Sequence, residues 1–197
     1  MHILAISGSR NPQGQTAAVI NAILKGVTEG GGTAESIFLP ALAIERCRQC
    51  DIDGYGICRQ EGWCVIKDDF AAISAKIAKA DAVVFATPVY YQDLSESLRA
   101  FLDRYHRTRP MRRPGLPVPE GSIPAVGICY AGRSGFGTIS CAANLEKILE
   151  QCGFDVVDMI PVRRQNLEMK RQYLETVGRW LLTKPATGPM PGMPPAK

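Results

Sequence analysis

Two groups of residues in this chain have the types and spacing to do chemistry. The first is Ser7-Gly8-Ser9-Arg10-Asn11-Pro12-Gln13-Gly14-Gln15-Thr16, close to the N-terminus. It sets hydroxyls, one guanidinium and two glycines between an apolar run and an amphipathic run. A polar loop that opens a helix aims backbone N–H groups at one point, and that point favours an anion. The loop reads as a phosphate cradle; for Ser9 and Thr16 the competing reading is plain helix capping. The second group is Cys47-Arg48-Gln49-Cys50, then Cys58 and Cys64. Thiolates at a CxxC spacing can share one metal or one cluster iron, and four cysteines make a full ligand set. A cluster, a zinc ion and four reduced thiols without metal all remain open on this spacing.

Composition bounds what these groups can belong to. The chain has 197 residues, 46% of them hydrophobic, which suits one globular domain with a full core. Its net charge of +4 is too mild to argue for nucleic acid. No apolar run approaches the roughly 18 residues of a membrane span. Met1-His2 leads straight into a strand-like run without a basic flank or cleavage site, so a cytoplasmic protein is expected. Seven cysteines in a reducing compartment read as metal, redox or core residues before disulfides. Cys129, Cys141 and Cys152 fall on strand and helix positions and are expected to be small buried hydrophobes.

The elements that must position the two groups alternate along the chain. Strands are predicted at 3–6, 36–39, 82–86, 125–129 and 156–160, each a short apolar run. Helices are predicted at 16–27, from Asp68-Asp69 through Ile77, from about Leu94 with Asp93 and Glu96 at capping-box spacing, at 139–152 and at 167–182. In the last helix Tyr173, Leu174, Val177 and Leu181 are expected to face inward. Residues 1–183 make one domain, with 41–66 as a cysteine-containing insertion loop. Residues 108–121 are expected to be an exposed loop and 184–197 a disordered tail. Five alternations give an α/β fold: a flavodoxin-like three-layer sandwich around a five-stranded parallel sheet of order 2-1-3-4-5. A ligand then sits beyond the C-terminal strand ends, at the switch between strands 1 and 3. The loop after strand 3, Thr87-Pro88-Val89-Tyr90-Tyr91, carries two aromatics. The loop after strand 4, from Ala131 through Gly132 and Gly135 to Gly137, permits close backbone approach. A flat ring with a phosphate tail suits that edge; for Tyr90 and Tyr91 the competing reading is a packed loop or a subunit contact.

The ordered set Gly8-Ser9-Arg10 with Gly14-Gln15-Thr16, the cysteine stretch closing in Asp68-Asp69, Thr87-Pro88-Val89-Tyr90 and Leu98-Arg99-Ala100-Phe101-Leu102-Asp103-Arg104 resembles the NADPH-dependent FMN reductase family. Within it the chain is most similar to the iron–sulfur flavoproteins. The resemblance runs over about residues 1–160. It implies bound FMN. Ser9, Arg10, Gln15 and Thr16 would hold the phosphate. Pro88, Val89, Tyr90 and Tyr91 would border the ribityl chain and ring, and Ala131, Gly132 and Gly135 would meet the ring edge. It implies NAD(P)H as electron donor and a homodimer or homotetramer. In the iron–sulfur members this place in the chain holds a compact four-cysteine motif for a [4Fe-4S] cluster. Here Cys47, Cys50, Cys58 and Cys64 are more widely spaced, with Gly54 and Gly56 in the longer gap.

No acid–base residue is required, because flavin N5 takes and gives hydride, and neither His2 nor His106 is placed as a base. Arg104, His106, Arg107, Arg109, Arg112 and Arg113 form a basic run suited to the 2′-phosphate of NADPH or an acidic redox protein. A solvated loop is the simpler reading. Trp63 and Trp180 are expected in packing or a subunit interface. Two functions follow: an oxidoreductase acting on a quinone, flavin, metal or protein acceptor, or a non-catalytic electron carrier or redox sensor.

Overall fold

The computed structural model describes residues 1–109 and 121–185. Five strands, β1 (His2–Ser7), β2 (Thr33–Phe38), β3 (Ala82–Pro88), β4 (Pro124–Ala131) and β5 (Asp155–Arg163), form one parallel sheet of order β2-β1-β3-β4-β5. The helices are α1 (Gln15–Glu29), α2 (Cys58–Glu61), α3 (Phe70–Ile77), α4 (Glu96–Arg107), α5 (Thr138–Gln151) and α6 (Leu167–Leu181). The expected flavodoxin-like architecture is therefore the observed one.

Period-two alternation within buried strands builds two cores, one on each face. Leu4 and Ile6 of β1 and Val83 and Phe85 of β3 face α3, α4 and α5. Ile3 and Ala5, with Val84 and Ala86, face α1 and α6. All of these are fully buried, which is why the strands read as continuous apolar runs. On the second face α1 and α6 cross in close contact. A Cβ on Gly26 would lie 2.0 Å from the Glu175 carbonyl oxygen, and one on Gly178 would lie 2.1 Å from that of Ile23. No side chain fits there.

Several elements differ from expectation. β3 and β4 run longer at their C-terminal ends, so Thr87, Pro88 and Ala131 close these strands rather than open loops. Sheet pairing carries them on: Pro88 pairs with Tyr130, and Ala131 with Arg163. The Asp93–Glu96 capping box does not form. Ser95 is the N-cap of α4, and Asp93 Oδ1 instead accepts the Leu94 N–H at 2.8 Å. Tyr173 is exposed, not inward; its hydroxyl donates to Asp158 at 2.9 Å, because a phenol keeps its polar end where a partner and water are. Most of the expected exposed loop, including Arg112 and Arg113, and the tail from Ala186 lie outside the described residues.

Candidate functional site

The loop after β1 is pinned before it reaches α1. The Gly8 N–H donates to the Ala86 carbonyl at 2.9 Å, and Ser97 Oγ donates to the Gly8 carbonyl at 3.0 Å. A Cβ on Gly8 would fall 2.2 Å from Ser95 Oγ and 2.9 Å from Leu98 Cβ, so the loop and the start of α4 approach as only glycine allows. Ser9 is buried; its Oγ accepts the Asn11 N–H at 3.3 Å. Asn11 Oδ1 accepts the Gln13 N–H, and Gly14 donates to the Asn11 carbonyl. These bonds consume the loop amides and deliver the chain to α1 through Gly14. There the N-cap is a glycine in the ordinary extended conformation, no side chain among the described residues caps the helix, and its first turn holds no acidic residue. Neither Ser9 nor Thr16 caps α1. The helix thus starts with unanswered N–H dipoles, with the buried Thr16 in the first turn. Gln15 and Arg10 are exposed. Arg10 meets Glu96 at 3.8 Å, a solvated pair worth little.

A cleft of about 900 Å³ opens on the β2 side of this loop. Ser9, Arg10, Ser97, Leu39, Leu42 and Arg46 are among the residues that line it.

The aromatic and glycine loops meet on the other side. The Val89 N–H donates to Tyr130 at 2.8 Å. Tyr90 and Asp93 then close a two-residue turn with paired backbone bonds of 3.0 and 2.9 Å. Its tip residues, Tyr91 and Gln92, sit at φ 49° and 66°. Non-glycine residues pay roughly 1–2 kcal/mol each for that region. Such strain concentrates at functional turns. Tyr91 is fully exposed and Tyr90 more than half exposed. The turn rests on the glycine loop: a Cβ on Gly137, at φ 79°, would lie 2.7 Å from Gln92 Cα. Gly135, at φ 75°, packs on the Arg163 methylenes. Gln165 Nε2 holds the carbonyls of Arg133 and Ser134, both at 3.3 Å. Pro88 to Tyr91 and Ala131 to Gly135 thus form one rim, while Ser9 and Arg10 border the neighbouring cleft.

The cysteine stretch has no regular structure from Leu42 to Ile57, then the four-residue α2. Nonetheless Cys47, Cys50, Cys58 and Cys64 all line one cavity, together with Arg48, Arg104 and Arg107. It is tight, about 20 Å³. Among the described residues no three thiol, imidazole or carboxylate groups converge where a single ion would sit. A tetrahedral zinc site, with Zn–S bonds of ~2.3 Å, needs that convergence.

Behind the cavity lies a feature not anticipated from sequence. Arg104 is a buried residue of α4, with its side chain 1% exposed. Its guanidinium takes Asp68 in a two-pronged pair, Nη1 to Oδ2 at 2.5 Å and Nη2 to Oδ1 at 3.0 Å. It also donates to the Glu45 carbonyl at 3.0 Å and to Cys64 Sγ at 3.4 Å. Burial alone would raise the Asp68 pKa. The Arg104 bonds and the N–H groups of Glu45 and Phe70 outweigh it and hold the carboxyl below its ordinary value. Arg107 donates to the Gly54 carbonyl at 2.8 Å and, with Arg59, brackets the Tyr55 ring.

A model of the NADPH-dependent FMN reductase family matches residues 1–168. The chain belongs to that family. Among relatives of this FMN reductase family member, an iron–sulfur flavoprotein of Methanocaldococcus jannaschii is 33% identical over 112 residues, covering 57% of this chain and 54% of that protein. Another, from Methanosarcina thermophila, is 33% identical over 104 residues, covering 53% and 52%. The chain thus spans about half the length of the relatives it matches. Among solved structures, an NAD(P)H:quinone oxidoreductase from Methanothermobacter marburgensis superposes with a TM-score of 0.69 at 18% identity, over 92% of this chain and 98% of that one. At that identity the likeness speaks to fold.

For this family member the basic run needs correcting. Arg104, Arg107, His106 and Arg109 are not a free patch. His106 Nδ1 lies 3.0 Å from the Gln151 carbonyl, and Arg109 donates to the Tyr105 hydroxyl at 2.7 Å. The guanidinium groups of Arg104, Arg107 and Arg109 are spent on the fold and the cysteine loop. The signal that would have found Arg104 is its place three residues after Phe101, on the flank of the apolar face of α4. Trp63 and Trp180 are exposed, so neither is core packing. Cys129, Cys141 and Cys152 are buried as expected. Burial pushes the Cys152 thiol up, and a bond with Cys141 together with burial does the same to Cys129. Cys129 and Cys152 are thereby held as thiols.

Proposed function

We propose that the protein is an FMN-dependent oxidoreductase. It takes electrons from NAD(P)H or a reduced redox protein and passes them to a quinone, flavin, metal or protein acceptor. The observation that carries the reading is the uncapped start of α1 beside the buried Ser9 and Thr16 hydroxyls, at the switch between β1 and β3. That cradle is short of an anion, and no side chain among the described residues supplies one. Ser9, Arg10, Gln15 and Thr16 would hold the FMN phosphate. Pro88, Val89, Tyr90 and Tyr91 would border the ribityl chain and ring, and Ala131, Gly132 and Gly135 the ring edge. The bound flavin would supply hydride acceptance and donation at N5. The chain's part is to hold the phosphate, offer tyrosine faces to the ring and shield it from water.

The test is direct. Arg10→Ala combined with Thr16→Ala should purify folded but depleted of FMN; full retention of FMN would reduce the loop to a helix start. In the wild type, NADPH or NADH should bleach the flavin band under anaerobic conditions. Reduction by dithionite alone would point to the carrier reading.

A second reading has its own observation: all four cysteines of the insertion line one cavity walled by arginines. The donor set suits a [4Fe-4S] cluster, whose thiolate-ligated form is an anion. Admitting it requires the loop to open outward from its tight arrangement. The cluster would let the protein pass single electrons, as an electron-transfer or redox-sensing flavoprotein. Exposed Tyr91, Phe136 and Ile139 at the rim are the apolar surface that a second subunit would cover, so a homodimer or homotetramer belongs to the proposal. A cytoplasmic location suits reduced cysteines. No helix among the described residues is long and apolar enough to cross a membrane.

A further inference from the structure

The cleft beside the anion loop is lined mostly by residues with no part in holding FMN. Of the residues proposed to hold the flavin, only Ser9 and Arg10 line it; Gln15, Thr16, Pro88 to Tyr91 and the glycine loop do not. Its volume of about 900 Å³ lies at the upper end of the roughly 300–1,000 Å³ of small-molecule sites. The fold fixes its lining segments. Ala43 and Asp69 exchange bonds, the Ala43 N–H donating to Asp69 Oδ2 at 2.8 Å and the Asp69 N–H to the Ala43 carbonyl at 3.0 Å. The Glu45 N–H donates to Asp68 and its carbonyl accepts Arg104, so the chain is held on both sides of Ile44. Ser97, another lining residue, donates its hydroxyl to the Gly8 carbonyl. A site built in advance loses less ordering entropy on binding. Its chemistry is two-sided. Phe38, Leu42, Ile44 and Ala100 bring apolar surface, and Leu42 is 38% exposed. The charged lining residues are Arg10, Arg46 and Glu96, two guanidiniums against one carboxylate. Arg10 meets Glu96 at 3.8 Å. Arg46 is exposed, and its guanidinium has no hydrogen bond or ion pair among the described residues. The cleft thus offers apolar surface together with one unanswered cation.

We propose that this cleft is a second binding site, for a small molecule with a flat apolar body and one oxyanion group such as a carboxylate, sulfonate or phosphate. The body lies on Phe38, Leu42 and Ile44, and the oxyanion pairs with Arg46. A guanidinium suits both parts, since it takes an oxyanion through two parallel N–H bonds and stacks on a flat ring. Because Ser9 and Arg10 belong to the cleft and to the anion loop alike, the occupant sits next to the FMN phosphate and away from the flavin ring. That placement alone rests on the flavin reading above.

The experiment is equilibrium dialysis of the FMN-loaded full chain against two probes with one ring system: anilinonaphthalene sulfonate, which carries the anion, and phenylnaphthylamine, which lacks it. Wild type should bind the sulfonate at one site per chain, about tenfold more tightly than the neutral amine and with FMN retained. Arg46→Gln should abolish that preference and leave the amine unaffected. Leu42→Asp should weaken the amine about tenfold and the sulfonate further, because it removes apolar surface and adds a like charge. Both residues are exposed and neither is proposed to hold FMN, so both variants should fold with the flavin content of wild type. Unchanged sulfonate affinity in Arg46→Gln, or unchanged amine affinity in Leu42→Asp, would put the probe elsewhere and overturn the assignment. Release of FMN by the sulfonate would make the cleft part of the flavin site and overturn it too. No binding by wild type, the result if a second copy of the chain fills the cleft, does the same. A chain that takes up no FMN fails the flavin reading instead, and dialysis of the flavin-free chain with the same two variants then decides the cleft.

Discussion

Replacing Asp68 by asparagine tests what holds the cysteine insertion to the domain. In the native protein Asp68 and Arg104 have side chains only 5% and 1% exposed. Their pair is two-pronged, and the Asp68 oxygens also accept the Glu45 N–H at 2.8 Å and the Phe70 N–H at 3.2 Å. Asparagine keeps the shape but leaves Arg104 charged and uncompensated against the Phe70 ring, 4.3 Å away. Breaking a buried pair from one side costs ~3–5 kcal/mol. For a chain of this size ~1 kcal/mol moves Tm by ~2–4 °C, so the loss should be ~6–20 °C. There is a ceiling: if residues 42–66 peel away and let water reach Arg104, the cost stops at the free energy of that opening. The assay therefore pairs urea unfolding with thiol labelling of the metal-free protein. Either the unfolding midpoint falls by the full amount, or it falls less and Cys64 labels much faster. The double replacement Asp68→Leu with Arg104→Met should recover most of the stability, since a packed apolar pair can substitute for a buried ion pair. A single variant with less than ~1 kcal/mol of loss and unchanged labelling would refute the idea that this pair anchors the loop.

Acid should act through the same carboxyl. Its folded pKa lies below the unfolded ~3.9, so its contribution is complete above that value and is lost as pH falls through the folded pKa. Urea midpoints of wild type and Asp68→Asn should differ at pH 7, start to converge as pH falls below ~4, and meet only below the folded pKa of Asp68. Gly137→Ala puts a Cβ 2.6 Å from Gln92 Cγ at φ 79° and should push the Tyr91–Gln92 turn outward. FMN affinity by fluorescence titration should fall about tenfold, or ~1.4 kcal/mol, and an unchanged Kd would remove that turn from the site. Gly26→Ala meets backbone, the Glu175 carbonyl at 2.0 Å, which cannot yield as a side chain end does. Overpacking of ~1–3 kcal/mol or more should outweigh the ~1 kcal/mol of helix propensity gained. Calorimetry should show a lower Tm with FMN affinity unchanged.

What sequence reading could and could not see divides along the range of the interactions. Ile3 to Ile6 and Ala82 to Ala86 announce themselves because a strand buried on both faces has no polar position to hide. Strand order follows from connection rules, and it brings the loops after β1, β3 and β4 to one edge without any knowledge of side chains. Tyr173 misled because helical spacing assigns a face but not its margin, where a phenol can turn to Asp158. The cysteine stretch resisted because its conformation is set from outside. Its fixed points are Arg104 and Arg107, some forty to sixty residues away, gripping Glu45, Asp68 and Gly54. In sequence Asp68 looks like a helix start, and Asp69 indeed precedes α3, while Arg104 looks like the first member of a basic run. Each reading is locally sound, and each misses the pair, because a salt bridge across 36 residues leaves no periodicity. The trace it does leave is an arginine beside the apolar face of an amphipathic helix. A charge there must be answered by another, and in this chain the answer is the carboxylate that closes the cysteine loop. The loop that carries the cysteines is thereby fastened to the same helix that braces the anion cradle, so the two groups of residues with chemical potential in the sequence share one rigid element in the fold.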